Sequence, residues 1–238
     1  MKQTHYIYDD NIGKVELVQH MGEDITVVNS ARVSFGVQKE FLDEKDKKLI
    51  NYLVKHKHTS TLEHNIATFR IKVPLFVRSQ HHRHRTWSFN EISRRYTDAD
   101  IKFYETVNFR TQHKSNRQAS NANDTINPLL EIKSEACAKP LQITASDAIL
   151  RYHNECLKFF DQLLAAGICR EQARGVLPQN LYTEYYATAN LNNILKFIGL
   201  RTHEGAQWEI QQLAVAMLDI ITSLWPETVK AYRNINCV

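Results

Sequence analysis

The sequence predicts an α+β fold in which an antiparallel β-sheet packs with helices and the C-terminal third is helical. Three stretches carry this expectation. Residues 66–73 (IATFRIKV) alternate, with Phe69, Ile71 and Val73 on one face and Thr68, Arg70 and Lys72 on the other. That is the pattern of a half-buried antiparallel strand, and Pro74 closes it. Between Glu40 and His58, apolar Phe41, Leu42, Leu49, Ile50, Leu53 and Val54 recur at helical spacing among charges. After Thr144 the same helical period runs through most of the remaining chain.

The other elements follow in order. Residues 13–29 (GKVELVQHMGEDITVVN) read as short strands broken by a turn at Gly22, and SARVSFG (30–36) reads as a loop ending in glycine. Residues 75–85 (LFVRSQHHRHR) predict a helix that carries a basic cluster. Residues 110–127 (RTQHKSNRQASNANDTIN) lack periodicity and predict a long surface loop. Thr144 or Ser146 can cap a helix whose apolar face uses Ile149, Leu150, Cys156, Phe159, Phe160, Leu163 and Leu164, ending near Gly167. Shorter helices are expected around 170–176 and 190–199. A long amphipathic one runs from Gln207 to Leu224, stopped by Pro226.

At 238 residues the chain suits a single domain, 1–238. Its net charge of +4 is too small for a protein that coats nucleic acid, and fits anionic small ligands such as nucleotides. The N-terminus has no apolar core of a secretory signal, and no apolar run is long enough to cross a bilayer, so neither a membrane nor a nucleic acid is an expected partner. Cys137, Cys156, Cys169 and Cys237 lack metal-ligand spacing and read as reduced, partly buried thiols of a cytoplasmic protein.

The densest chemistry lies in residues 80–96, QHHRHRTWSFNEISRRY. Arginine forks interleaved with hydroxyl and amide groups suit an oxyanion, whereas a solvated face would more naturally use lysine and glutamate. Composition leaves three other readings open. His81, His82 and His84, with His56, His58 and His64, could bind a metal, but the spacing matches no metal motif and the arginines would repel a cation, so no metal is expected. The arginines with Trp87, Phe89 and Tyr96 could stack nucleic-acid bases, although no nucleic-acid motif is present. Glu91 could pair with Arg94 or Arg95 in a purely structural network.

The string Arg83-His84-Arg85, seven residues and Ser93 matches the RHRx7S signature, and the chain resembles the flavin-dependent thymidylate synthases. Gln80, Ser88, Asn90, Glu91, Arg95 and Tyr96 fill the signature's surroundings in the family's manner. ARVSF (31–35), HTSTLEH (58–64), FYETVNFRTQHKSNRQAS (103–120), ARGVLPQNLYTEYYATAN (173–190) and LRTHEGAQWEIQQLA (200–214) resemble the family's other blocks, in order. The resemblance therefore covers most of the chain. It implies the fold of that family, an antiparallel sheet with helices, and a homotetramer whose sites form where subunits meet.

It also implies an activity: reductive methylation of deoxyuridylate (dUMP) to thymidylate (dTMP), with FAD as cofactor and NADPH and 5,10-methylenetetrahydrofolate as co-substrates. The roles below are carried over residue by residue. Gln80, Arg83, Glu91, Ile92, Ser93, Arg94, Arg95, Arg174 and Arg201 would hold dUMP. Ser60, Glu63, Arg83, His84, Arg85, Glu91, Asn190, Asn192 and Lys196 would hold FAD. Arg201 would face the pyrimidine as the catalytic cation, favouring negative charge on the ring; without the resemblance it reads as a helix-terminal arginine. Ser93 has no base and orienter beside it in sequence and reads as a ligand donor. Three positions depart from the family: Asn192 replaces a common arginine, Lys196 a usual asparagine, and Gly205 a frequent histidine, with His203 two residues earlier.

Overall fold

The computed structural model describes residues 3–132 and 140–236. They divide into two compact units. One comprises Met1–Lys72, Ser79–Glu91 and Glu184–Val238, and the other Val73–Arg78 and Ile92–Thr183.

The first unit is built on a five-stranded sheet. Its strands are β1 (Thr4–Tyr6), β2 (Lys14–Met21), β3 (Ile66–Pro74), β4 (Ser88–Glu91) and β9 (Tyr182–Asn190), in the order β1-β2-β3-β9-β4. The pairs β1–β2, β2–β3 and β4–β9 are antiparallel. As the alternation predicts, Phe69, Ile71 and Val73 of β3 are fully buried and Arg70 and Lys72 only half-buried, but Thr68 is buried too, its hydroxyl 3.0 Å from that of Thr188. The helices of this unit are α1 (Asp24–Arg32), α2 (Glu44–Lys55), α6 (Leu191–Arg201), α7 (Trp208–Leu224) and α8 (Pro226–Asn236). α7 packs on β2, α6 and α8, and α2 packs on α8. Ile194, Phe197, Ile198, Ile210, Leu213, Met217, Ile221 and Trp225 are withdrawn from water at these contacts, the main source of stability here. α3 (Leu75–His81) ends in this unit at Ser79–His81.

Several expectations need correction. ITVVN is helical, not a strand: Gly22 turns the chain at φ +85°, Glu23 and Thr26 cap each other's backbone, and Val27 and Val28 are fully buried on one helix face. Burial of that face overrides the β-propensity of its branched residues. Ser30–Arg32 complete α1, so only the remainder of SARVSFG is irregular, a 3-10 turn closed by Gly36 at φ +64°. α2 starts at Glu44 because Asp43 caps it, leaving Phe41 80% exposed outside the helix. α3 stops at His81, so Arg83, His84 and Arg85 lie in the turn that follows. Pro226 both ends α7 and opens α8, where a missing N–H removes nothing.

In the second unit, 110–127 is not a loop. β5 (Phe109–Gln112) and β6 (Ser120–Ile126) form a hairpin. β6 is exposed on both faces and β5 is half-buried on both, so no alternation marks either; side-chain bonds such as Asn121 Nδ2 to Thr111 Oγ1 (2.8 Å) tie them. β7 (Leu129–Ile132) and β8 (Leu141–Thr144) pair next. α4 (Ala145–Ala165) follows, with Thr144 accepting the Asp147 amide as N-cap and Gly167 at φ +88° beyond its end. Of its predicted apolar face only Phe160 is fully buried; Leu150 and Phe159 are about half exposed, at 45% and 49%. α5 (Arg170–Ala173) and a 3-10 turn (Arg174–Val176) complete the unit. Cys156 is half-buried and Cys169 exposed, both free; Cys137 and Cys237 lie outside the described residues.

The two ends of the first unit are joined by a buried carboxylate. Asp24, 5% exposed, accepts the amides of Glu227 and Thr228 at 2.9 Å each and the Thr228 hydroxyl at 2.6 Å, capping α8 from α1. Asp24→Ala removes the cap and leaves buried donors without an acceptor. We expect it to lower unfolding free energy by about 2 kcal/mol. Urea denaturation followed by circular dichroism checks this, and a change within the error of the extrapolation would mean that the contact is idle.

Candidate functional site

The site in the first unit grows from a buried histidine. His81, the last residue of α3, is fully buried: its ring lies 4.6 Å from that of Phe197, 4.7 Å from Trp87 and 5.2 Å from Phe89. Its Nδ1 is 2.9 Å from the Tyr185 hydroxyl. Burial, reinforced by the neighbouring Arg201 cation, holds its pKa far below the histidine range, so it is neutral. This aromatic cage fixes the end of α3, and with it the turn that carries the basic cluster.

Arg201, the last residue of α6, reaches that turn. Its Nε–H donates to His84 Nε2 at 3.3 Å, and its Nη2 donates to the Gln80 carbonyl at 3.4 Å. The same carbonyl accepts the Arg83 amide at 3.3 Å. Carbonyls at a helix end lack partners within the helix and attract cations, which accounts for the arginine settling there. Burial lowers the Arg201 pKa and lowers that of His84, which the Arg201 charge depresses further. The Gln80 side chain is fixed as well: its Nε2 donates to Gln207 Oε1 at 2.6 Å, and Gln207 Nε2 donates to Glu209 Oε2 at 2.9 Å. Arg83 and Arg85 are exposed. Neither guanidinium makes a hydrogen bond or ion pair among the described residues, so both face solvent as open anion forks. Glu91, at the end of β4 opposite Tyr185, is half-buried.

Further along the same unit, Ser60 lies in a 3-10 turn (Thr59–Leu62) capped by Glu63, and both residues are exposed. Asn192, 5% exposed, donates to Glu63 Oε1 at 3.0 Å. Asn190 caps α6, its Oδ1 accepting the Asn193 amide at 3.0 Å. Asn192 and Lys196 line a cavity of about 340 Å³ together with Lys57, His58, Leu62 and Leu195. His203 folds back on the turn after α6, its Nδ1 accepting the Gly205 amide at 3.0 Å.

The remaining candidates belong to the second unit. Ile92 opens a loop with its side chain 41% exposed. Ser93 Oγ accepts the Arg95 amide at 3.3 Å, and its carbonyl accepts the amides of Tyr96 (3.0 Å) and Thr97 (3.2 Å). Arg94 is buried and donates to the carbonyls of Ala99 (2.7 Å) and Asp100 (3.4 Å), so its guanidinium is engaged within its own loop. Arg95 is exposed, its guanidinium 5.3 Å from the Tyr96 ring centre. Arg174 is exposed at the start of its 3-10 turn. No base is bonded to the Ser93 hydroxyl among the described residues. No group of three or more histidines, cysteines or acids there could hold a metal ion, and no described helix is long and apolar enough to cross a membrane.

The contact from Gln80 to Gln207 and that from Asn192 to Glu63 were not anticipated. They join residues 127 and 129 positions apart, and no local pattern announces such pairs.

Known proteins place this chain in context. It is 42% identical over 222 residues to a flavin-dependent thymidylate synthase of Thermus thermophilus, covering 93% of this chain and 76% of that protein. It is 38% identical over 220 residues to the enzyme of the same name from Thermotoga neapolitana, covering 92% and 90%. The crystal structure of the UMP/dUMP methylase PolB from Streptomyces cacaoi, bound with 5-Br dUMP, superimposes with a TM-score of 0.77. That match has 31% sequence identity and covers 94% of this chain and 96% of that one. The family model described as thymidylate synthase complementing protein matches residues 16–227. On this match and these identities, the chain belongs to the thymidylate synthase complementing protein family.

Proposed function

We propose that the chain is a flavin-dependent thymidylate synthase that methylates dUMP to dTMP, taking the carbon from 5,10-methylenetetrahydrofolate. Bound FAD, reduced by NADPH, supplies the hydride. One observation carries the residue assignment: Arg201, far away in sequence, is fixed against the turn that bears Arg83, His84 and Arg85.

Arg201 is the catalytic cation. A guanidinium held in place and partly withdrawn from water favours negative charge on a uracil ring beside it, and so makes the ring carbon C5 nucleophilic without a covalent protein adduct. Gln80, Arg83, Glu91, Ile92, Ser93, Arg95 and Arg174 complete the dUMP set, with the nucleotide phosphate taken by hydroxyl, guanidinium and backbone donors. Arg94 belongs to the same set, its guanidinium keeping the 93–100 loop in shape, a reading supported by its two carbonyl contacts.

The residues assigned to FAD fit a dinucleotide. Arg83, Arg85 and Lys196 offer exposed cations suited to a diphosphate, and Ser60, His84, Asn190 and Asn192 offer neutral polar groups. Glu63, whose carboxylate is tied by Asn192, and Glu91 complete the set. We infer further that residues 1–238 act as one catalytic domain and that copies associate as a homotetramer. Exposed Val33, Phe35 and Phe41 in one unit and Leu150, Tyr152 and Phe159 in the other support association. Free Cys156 and Cys169 support a cytoplasmic setting.

Three outcomes are expected. Purified protein is yellow, and its visible flavin bands bleach when NADPH is added anaerobically; a colourless protein that takes up no FAD would sink the reading. Arg201→Lys keeps its circular dichroism but loses about a hundredfold or more in dTMP formation, because lysine keeps the charge without the planar fork. Ser93→Ala weakens dUMP binding several-fold and retains measurable turnover; normal binding with no turnover would instead identify Ser93 as a nucleophile.

A further inference from the structure

α6 meets the turn after α3 through two residues four apart, which lie on one helix face. Phe197 sets its ring edge-on to that of His84, with centres 5.0 Å apart and planes at 80°. Arg201 donates its Nε–H to His84 Nε2. A guanidinium can only donate, so the ring nitrogen that faces it must be bare and the imidazole proton must sit on Nδ1.

We propose that His84 is a positioning residue for Arg201. Its unprotonated Nε2 and the Gln80 carbonyl aim the guanidinium, leaving the Nη1 hydrogens and one on Nη2 to meet the pyrimidine. Protonation of the ring releases the arginine. The proposal rests on the role given to Arg201 above.

The environment of His84 is suited to this. From α6 it faces the Arg201 cation, and from the end of α3 the neutral His81, with ring centres 6.4 Å apart. Its own turn adds Arg83 and Arg85, both exposed. None of these groups is an acid. Burial and the Arg201 charge therefore act in one direction, holding the ring below the ordinary histidine range. The contact stands above that lowered pKa. As pH falls through it, the ring becomes a cation facing another cation, and nucleotide affinity drops on the acid side.

The test combines a tautomer measurement with a binding profile. Nitrogen NMR of the wild-type imidazoles assigns the His84 proton. Calorimetry then follows dUMP binding to the FAD-loaded protein across the histidine range, for wild type, His84→Gln and His84→Leu. Glutamine offers a carbonyl acceptor that does not titrate, whereas leucine offers none. The dUMP phosphate itself titrates with a pKa of about 6, so the signature is the difference between profiles.

We expect an Nδ1–H tautomer and an acid decline in wild type that His84→Gln lacks. His84→Leu should bind about tenfold more weakly than His84→Gln at neutral pH. A proton on Nε2 at neutral pH overturns the positioning role, and so does a His84→Gln profile that falls as wild type does. If wild type binds no dUMP at any pH, the functional reading fails, and with it the purpose assigned to the contact. The first two results would leave that reading standing, so the two failures are distinct.

Discussion

An arginine that can only donate, set against an imidazole that must accept, is the interaction on which the first unit's site depends. Arg201 brings the end of α6 to the end of α3, and its Nε–H and Nη2–H find a ring nitrogen and a main-chain carbonyl. Both acceptors are in place because His81 is caged by Trp87, Phe89 and Phe197 and bonded to Tyr185. Hydrophobic packing thus fixes the polar geometry: the cage holds the helix end, and the helix end presents the carbonyl. A cation anchored this way needs little reorganisation when charge develops beside it, the condition under which electrostatic stabilisation is most effective.

The charge pattern of the turn follows from burial as much as from composition. Arg83 and Arg85 extend into solvent while His84, between them, is half-buried and tied to α6. The turn therefore presents two exposed cations flanking a fixed neutral ring. In the other unit, Arg94 and Arg95 are neighbours in sequence with opposite fates. Arg94 is drawn inward by two carbonyls, whereas Arg95 lies beside the exposed Tyr96 ring. Four arginines that look equivalent as a string divide into anion forks and a loop clasp.

That division marks where the sequence was legible. The period-two pattern of β3 and the helical periods of α2, α4 and α7 were readable because one face of each carries the apolar residues. ITVVN reads as a strand because its branched side chains favour one, and only burial of Val27 and Val28 makes it helical. The 109–126 hairpin carries no period-two signal because neither of its strands has one buried and one exposed face. β9, rich in Tyr, Thr and Ala, has the aromatic and β-branched content of a strand, a signal of composition rather than of period. Among the site residues, the basic cluster stood out by composition. The fixing of Arg201 by His84, and of Gln80 by Gln207, depends on pairs more than a hundred positions apart, which no window of sequence contains.

The joining of Asp24 to Thr228 has a consequence for biosynthesis. The carboxylate and its hydrogen-bond donors are separated by 203 and 204 positions, so α1 cannot meet its final partner until α8 has been synthesised. The middle of the chain, residues 92–183, emerges complete before the last strand and three helices of the sheet-bearing unit exist. That unit is therefore completed only once α8 is available. Contacts so distant along the chain also close slowly, because the loop between them must lose its freedom before any bond rewards it. Until then the nascent N-terminal segment exposes apolar surface that favours aggregation.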